Sequence, residues 1–400
     1  MMRAIGTPLL LSCMILPGVV ACRDESSPPS PQVVVTDSAG MLYVRLADLD
    51  SITAEPWQAE EVYNTAAGAA PIEWFRVTAA RFLADGSLAV ANSGTPEIVF
   101  LDGAGAVQRR IGGAGEGPGE FRHISVLRLN RAGELVVYDP RLGRLTRIGP
   151  DGEILGTRRF APPNRVVDLL PLALLDGSRI LAVYGGQRIF AAGGERRDST
   201  PLFVFDSAGA ALDTLGVWPA QEWSYISFAE GAARREVGFG RTLAYAGRNG
   251  YSVLGSTDSL DLTVFDRTAH AVMRVIGGGA NDPVAAADVE RWRADQDEQM
   301  AAAPEALRRA LSQTPHRETY PAFGALLLDD ARRLWIGSYV RPGQTRQRWT
   351  VIGADGQLDG TVFLPADARL LDVAGDRLAL LRRNELDEEY IAVLRLVRAS

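Results

Sequence analysis

A repeated order of short apolar segments and tight turns constrains the fold of this 400-residue chain more than any other feature. Each copy has an apolar segment, a turn with Gly, Asp or Asn, a second and a third segment, another turn and a last segment. Six copies can be aligned, and the equivalent turn glycines Gly86 and Gly133 lie 47 residues apart. Segments rich in β-branched and aromatic residues between such turns predict antiparallel strands joined by hairpins.

Four strands per copy, at a period of roughly 40 to 50 residues, are typical of a β-propeller. The sixth copy is one strand short, and residues 57–64 (WQAEEVYN) can supply the missing strand. We therefore predict an all-β fold over residues 41–400, a six-bladed β-propeller closed by an N-terminal strand in the last blade. An open solenoid is the alternative, but it would need a capping segment at each end.

A long insertion separates the fourth and fifth copies, and its sequence favours helix. Asp282 can act as an N-cap with Pro283 at the first helical position. A second helical run begins at Pro304. We predict a helical insert over about residues 281–314, between blades four and five. It is either a lid or partner-docking arm over the pore mouth, or a solvated flap packed on the rim.

The first residues predict a targeting signal. Residues 1–21 have a charged start, an apolar middle and a small-residue end, which is typical of a signal peptide. The last four residues before position 23 (VVAC) resemble the lipobox of bacterial lipoproteins, and this resemblance implies a lipid on Cys22. An ordinary secreted protein is the alternative. The polar, proline-rich residues that follow predict a flexible tether over residues 22–40.

Two further segments, GGAGEGPGEF (residues 112–121) and LWIGSY (residues 334–339), resemble the six-bladed β-propeller lipoproteins of bacterial envelopes, which are relatives of the NHL and TolB-type propellers. The resemblance covers about residues 55–398 and implies a fold rather than an activity. Arg23 after the cysteine, by resemblance to enterobacterial sorting, favours the outer membrane over the inner one. The domain would then be periplasmic or surface-exposed.

The glycine-rich segment is not a phosphate-binding loop. Pro118 occupies the place of the third glycine, and no basic residue follows as it does in a P-loop. We interpret the segment as a connection between blades in which Glu116 and Glu120 accept hydrogen bonds from nearby backbone N–H groups.

Composition excludes several functions. The formal net charge of −7 argues against nucleic-acid binding, which needs a basic surface. All 42 basic residues are arginine, so lysine Schiff-base chemistry is excluded. Three histidines (His123, His270 and His316) offer little to a multi-histidine metal centre. No G-x-S-x-G motif is present. We therefore predict no catalytic residue, no metal site and no cofactor.

The long insertions all fall on one face of the predicted propeller, opposite the tight turns, as expected of a scaffold that carries function on its loops. This face is rich in arginines and aromatic residues, which suit an anionic or sugar-like ligand. The candidate ligand-binding residues are Arg196, Arg197, Trp223, Tyr225, Arg341, Arg346 and His123. Trp223 and Tyr225 would be stacking surfaces, and His123 is either a general base or a structural residue.

The sequence favours a non-enzymatic envelope lipoprotein whose insert-rich face binds a protein, peptide or glycan, with the membrane reached only through the lipid anchor. A metal-dependent hydrolase or lyase at the pore mouth is the alternative. A purely structural module is a third hypothesis. Oligomeric state is not indicated by the sequence.

Overall fold

A computed structural model describes residues 32–49, 51–54, 56–66, 72–160, 167–187, 193–228, 231–279 and 282–397. The predicted signal peptide and Cys22 therefore lie outside the described residues. Strands make up most of the described chain, so the predicted all-β class is confirmed. Neither helix in this part of the chain is long and apolar enough to cross a bilayer.

Three strands precede the first repeat copy. They are β1 (Val33–Ser38), β2 (Met41–Leu46) and β3 (Pro56–Asn64). β1 and β2 form an antiparallel hairpin, so the part of the predicted tether from Val33 to Ser38 is in fact a β-strand. Alternate residues of the hairpin face the core, because Val44 and Leu46 are buried and Val33, Val35 and Leu42 pack against the same cluster.

The repeat copies form successive antiparallel arrays: the third copy contributes five strands, the sixth contributes three, and each of the others contributes four. Arrays 1 and 2 contain β4 (Val77–Phe82), β5 (Leu88–Asn92), β6 (Glu97–Leu101), β7 (Val107–Gly112), β8 (Val126–Leu129), β9 (Leu135–Asp139), β10 (Arg144–Ile148) and β11 (Ile154–Arg159). Arrays 3 and 4 contain β12 (Val167–Leu174), a 3₁₀ turn (Asp176–Ser178), β13 (Ile180–Gln187), β14 (Gly194–Phe205), β15 (Ala211–Phe228), β16 (Gly231–Glu236), β17 (Leu243–Arg248), β18 (Tyr251–Ser256), β19 (Ser259–Phe265) and β20 (Ala271–Gly279).

The remaining arrays follow two helices. The helices are α1 (Ala286–Gln299) and α2 (Glu305–Leu311). Arrays 5 and 6 contain β21 (Ala325–Leu328), β22 (Leu334–Gly337), β23 (Arg346–Ile352), β24 (Leu358–Pro365), β25 (Arg369–Ala374), β26 (Arg377–Arg383) and β27 (Glu389–Val397).

The N-terminal strands complete the last arrays. β3 pairs antiparallel with β27, and Tyr63 lies opposite Val393. β3 also touches β24 through two parallel residue pairs, while β2 pairs in parallel with β20 at the edge of array 4. The first strands of successive arrays are neighbours, and β25 contacts β4.

The hydrophobic core lies between the arrays rather than within any one of them. Each of the buried clusters combines side chains from two successive arrays. The cluster between the last and first arrays joins Val393 and Leu381 to Val90 and Leu88. Apolar burial of this kind stabilises face-to-face packing of sheets.

Tight turns fix the register within the arrays. In the first array, Gly86 has a φ of 83°, a left-handed conformation that favours glycine. The carboxylate of Asp85 accepts a hydrogen bond from the backbone N–H of Ser87 at 2.9 Å. This is the Asx-type turn chemistry that the repeated Asp-Gly pairs predict.

Candidate functional site

The long insertion of the third array extends its sheet. Residues 194–200 and 219–228 of the insertions belong to β14 and β15, and residues 231–236 form β16, so these parts are strands and not loops. β14 and β15 are 12 and 18 residues long, and Arg196 lies opposite Trp223 in their register. Aromatic and arginine side chains therefore project from a hydrogen-bonded sheet, which holds them more firmly than a loop would.

Helix α1 lies over this face and is held by an aromatic cluster. All its residues are described and none is fully buried. The Trp292 ring lies 5.9 Å from the ring of Phe239 and 6.1 Å from that of His316. Phe239 also meets Tyr320 edge to face at 5.5 Å. Such aromatic pairs add stability beyond the area that they bury.

The predicted N-cap of this insertion is wrong. The residue that caps α1 is Ala285, with no side-chain hydrogen bond to the helix. Asp282 lies before the helix, and its carboxylate accepts a hydrogen bond from the Arg341 guanidinium at 2.6 Å. Asp282 therefore forms an ion pair with Arg341 instead of a capping hydrogen bond to the helix.

Two adjoining hollows lie beneath and beside α1, and we call them together the insert cleft. Their volumes are about 490 Å³ and 500 Å³. Both are lined by Pro321 and Tyr339, so they meet at these two residues. Cavities of this size are typical of small-molecule sites.

In the first hollow, charged groups are already paired. Arg341 binds Asp282, and its guanidinium lies 4.7 Å from the centre of the Tyr320 ring. The Tyr320 hydroxyl donates to Asp288 at 2.5 Å. Burial, followed by the Asp288 hydrogen bond, raises the pKa of Tyr320. Burial also raises the pKa of Tyr339 to about 12.

In the second hollow, arginine and aromatic planes are stacked. The guanidinium of Arg234 lies 3.9 Å from the centre of the Trp223 ring, within the range of a cation–π contact. The Trp223 indole donates to Asp198 at 2.8 Å, which fixes the ring. Arg235 donates to Gln296 of α1 at 2.5 Å. Trp292 and Phe239 line the opposite part of the hollow.

Two candidates, Trp223 and Arg341, line the insert cleft. Arg197 does not line it. Its guanidinium binds Asp258 through two hydrogen bonds of 2.9 Å and 2.5 Å, so it ties array 3 to array 4. Arg196 is exposed on the neighbouring strand and does not line either hollow.

The other candidates are placed elsewhere. Tyr225 is only 5% exposed, so its ring cannot act as the predicted stacking surface. Arg346 is exposed and lies 5.0 Å from the centre of the Phe363 ring on the neighbouring strand of its own array. Neither side chain lines the insert cleft.

His123 has a structural environment. Its Nδ1 lies 2.9 Å from the Ser93 hydroxyl, and its backbone N–H donates to Asp139 at 3.1 Å. These contacts join the first two arrays. In the preceding glycine-rich connection, Glu120 accepts a hydrogen bond from Gly117 N–H at 2.8 Å, as predicted, whereas Glu116 forms an ion pair with Arg122.

No group of three or more His, Cys, Asp or Glu side chains among the described residues is arranged to hold a metal ion. Four aromatic residues that line the insert cleft were not predicted from the sequence: Phe239, Trp292, Tyr320 and Tyr339. Trp292 did carry a signal, because it is a lone aromatic residue in a highly charged helical run.

No protein-family model and no curated protein sequence matches this chain. A member of the DUF4221 family from Bacteroides vulgatus has 13% identity and a TM-score of 0.50, covering 87% of this chain and 98% of that one. A gluconolactonase from Xanthomonas campestris has 12% identity and a TM-score of 0.44, covering 85% and 90%. Virginiamycin B lyase from Staphylococcus aureus has 11% identity and a TM-score of 0.38, covering 82% and 83%.

The DUF4221 structure is a propeller-type protein, and the predicted β-propeller fold is confirmed at that level. At such identities the likeness concerns the fold alone.

Proposed function

We propose that this protein is a non-enzymatic envelope lipoprotein whose propeller binds an acidic glycan in the insert cleft. In this proposal the six arrays form a closed six-bladed ring, and the helical insert is a docked wall of the site. The neighbouring first strands, the β25–β4 contact and the β3–β27 pairing support closure. The lipobox-like residues before position 23 support a lipid on Cys22 and an outer-membrane location.

The observation that carries the proposal is the stacked pair of Arg234 and Trp223 in the second hollow. Sugar rings pack their apolar faces on aromatic planes, and guanidinium groups bind carboxylates through paired hydrogen bonds. Trp292 provides a second aromatic plane in the hollow. A sugar carrying a carboxylate would use both kinds of surface.

Size and wall composition favour a glycan over a folded protein partner. The hollow of about 500 Å³ is concave and holds a small ligand rather than a flat interface. The amides of Gln221, Gln296 and Gln299 line it and can exchange hydrogen bonds with sugar hydroxyls.

The test is calorimetric titration of the purified protein with short uronic-acid oligosaccharides and with their neutral counterparts. We expect the acidic series alone to bind. Arg234→Ala should weaken that binding about tenfold or more, because a charge-assisted hydrogen bond is lost.

Arg196→Ala is the matched control. It removes an exposed arginine of β14, the strand next to that of Trp223, and this arginine does not line the cleft. Equal weakening by both substitutions, or no binding of acidic oligosaccharides, would contradict the proposal. Turnover of esters or lactones by the same preparation would favour the hydrolase hypothesis.

A further inference from the structure

A third cavity, separate from the insert cleft, lies where the first strands of the arrays meet. Its volume is about 250 Å³, and β4, β8, β12, β17, β21 and β25 all contribute to its wall. We call it the axial cavity and define it by Thr78, Arg81, Arg128, Tyr245 and Asp372. It shares no lining residue with the insert cleft among the described residues.

Among the described side chains, one carboxylate lies in this wall, and several guanidinium groups surround it. Asp372 is 1% exposed and accepts a hydrogen bond from the backbone N–H of Phe82 at 2.8 Å. Arg248 binds the same carboxylate directly, and Arg81 lies 3.7 Å from it. Arg81 and Arg248 are 8% and 5% exposed. Two buried cations therefore share one buried anion.

Arg128 adds a further guanidinium, and no carboxylate in the described part of the chain forms an ion pair with it. Its Nε donates to the backbone carbonyl of Leu172 at 2.9 Å, and Nη1 donates to that of Leu127 at 3.3 Å. Burial, reinforced by the charge of Arg81, lowers the pKa of Arg128 to about 9. Burying a cation without a bound counter-charge is unfavourable, and Tyr245 and Asp372 offset this cost only in part.

Donors in this wall also lack acceptors. The Nε of Arg81 and the hydroxyl oxygen of Thr78 are buried and have no hydrogen-bond partner. Buried polar groups are almost always satisfied in native proteins, so such a cluster of donors points to a missing acceptor.

We propose that the axial cavity binds a small oxyanion through a phosphate or carboxylate group. Three guanidinium groups (Arg81, Arg128 and Arg369) line the cavity, and Arg248 also binds the one carboxylate described there, Asp372, so a bound anion would reduce the excess positive charge. Its oxygens would accept hydrogen bonds from the free guanidinium donors, which match oxyanion geometry. The Tyr245 ring lines the same cavity, and its hydroxyl can donate as well.

The wall argues against other occupants. A metal cation would be repelled by the surplus guanidinium charge. A volume of about 250 Å³ corresponds to only about eight water molecules at roughly 30 Å³ each, so the cavity excludes a folded segment. Small anions such as inorganic phosphate or a dicarboxylate fit within it.

The experiment uses the full chain in a buffer free of phosphate, sulfate and carboxylates. Inorganic phosphate and succinate are titrated separately by calorimetry, with sodium chloride holding the ionic strength constant. We expect saturable binding of at least one anion, and the stronger titrant identifies the recognised group. Arg128→Gln should weaken it about tenfold to a hundredfold, which corresponds to one charge-assisted hydrogen bond.

Arg346→Gln is the control, because this exposed arginine lies outside the cavity. Tyr245→Phe keeps the ring in place and should weaken binding a few-fold even if Arg128→Gln fails to fold. The proposal is overturned if neither anion binds, or if Arg346→Gln weakens binding as much as the cavity variants do. Uronic-acid binding in the insert cleft is measured separately, so each proposal can fail alone.

Discussion

The insert cleft and the axial cavity both concentrate arginine, but they compensate its charge differently. In the cleft, Arg341 has Asp282 as its own partner at 2.6 Å, and both side chains are substantially exposed. Arg234 stacks on an aromatic ring beside water. In the axial cavity, Arg81 and Arg248 share Asp372, and all three are buried.

This difference shows that the exposure of the arginines, rather than their number, decides how strongly they affect the free energy of unfolding. Water screens an exposed ion pair, which therefore contributes little to stability. A buried group of like charges keeps its repulsion and its desolvation cost, and removal of its counter-charge is severe. The cleft can accordingly tolerate changes in charge that the cavity cannot.

The largest expected effect is in the axial cavity. Asp372→Ala removes the buried carboxylate and leaves Arg81 and Arg248 without a counter-charge, so the free energy of unfolding should fall by about 3 to 5 kcal/mol. Urea denaturation followed by circular dichroism measures this loss. The matched substitution in the cleft, Asp282→Ala, should cost about 1 kcal/mol or less. Similar losses for the two variants would abolish the distinction between the regions.

A smaller effect is expected in the wall of the cleft. Trp292→Ala removes two aromatic contacts that hold α1, and it should lower the free energy of unfolding by about 1 to 2 kcal/mol. Hydrogen exchange should show faster opening of α1, while exchange at β25 of the axial cavity stays unchanged. Arg293→Ala, on an exposed position of the same helix, is the control and should leave exchange as it was.

The smallest effects are opposite responses to pH. Burial lowers the pKa of Arg128 to about 9 in the folded state. Above pH 9 the unfolded state therefore binds more protons than the folded state. The contribution of Arg128 to the free energy of unfolding accordingly becomes more favourable as pH rises. The raised pKa of Tyr339, about 12, means that the folded state keeps its proton while the unfolded phenol loses it from about pH 10. Tyr339 therefore contributes stability that is lost as pH rises from about 10 to 12.

Urea denaturation between pH 8 and pH 11 (about the range set by these shifts) tests both signs. The stability difference between the parent and Arg128→Gln should move in the parent's favour at high pH. The difference between the parent and Tyr339→Phe should move against the parent. A common direction for both would mean that the two environments are not distinct.

Much of the fold could be predicted, because local signals repeat. The Asp-Gly turns and the apolar segments between them predict β5, β6 and β10 closely, and residues 57–64 were expected to pair with the C-terminal strand. The β1–β2 hairpin was missed. Its strands follow a proline-rich segment, and the parallel pairing of β2 with β20 depends on a partner more than 200 residues away.

The sites were predictable only in part. Trp223 and Arg341 could be placed on the correct face because insertions there are long. Arg197 could not be distinguished from them, since its partner Asp258 lies in another array. The axial cavity could not be predicted from the sequence. Arg81 and Arg128 lie in apolar strand segments, and a single charged residue in such a segment predicts a side chain that faces solvent.

The pairing of β3 with β27 has a consequence for synthesis of the chain. Tyr63 is translated more than 300 residues before its strand partner Val393. Contacts over such separations form slowly and leave partly folded intermediates exposed to aggregation. Biogenesis of this protein therefore depends on keeping β3 available for pairing until β27 has been made.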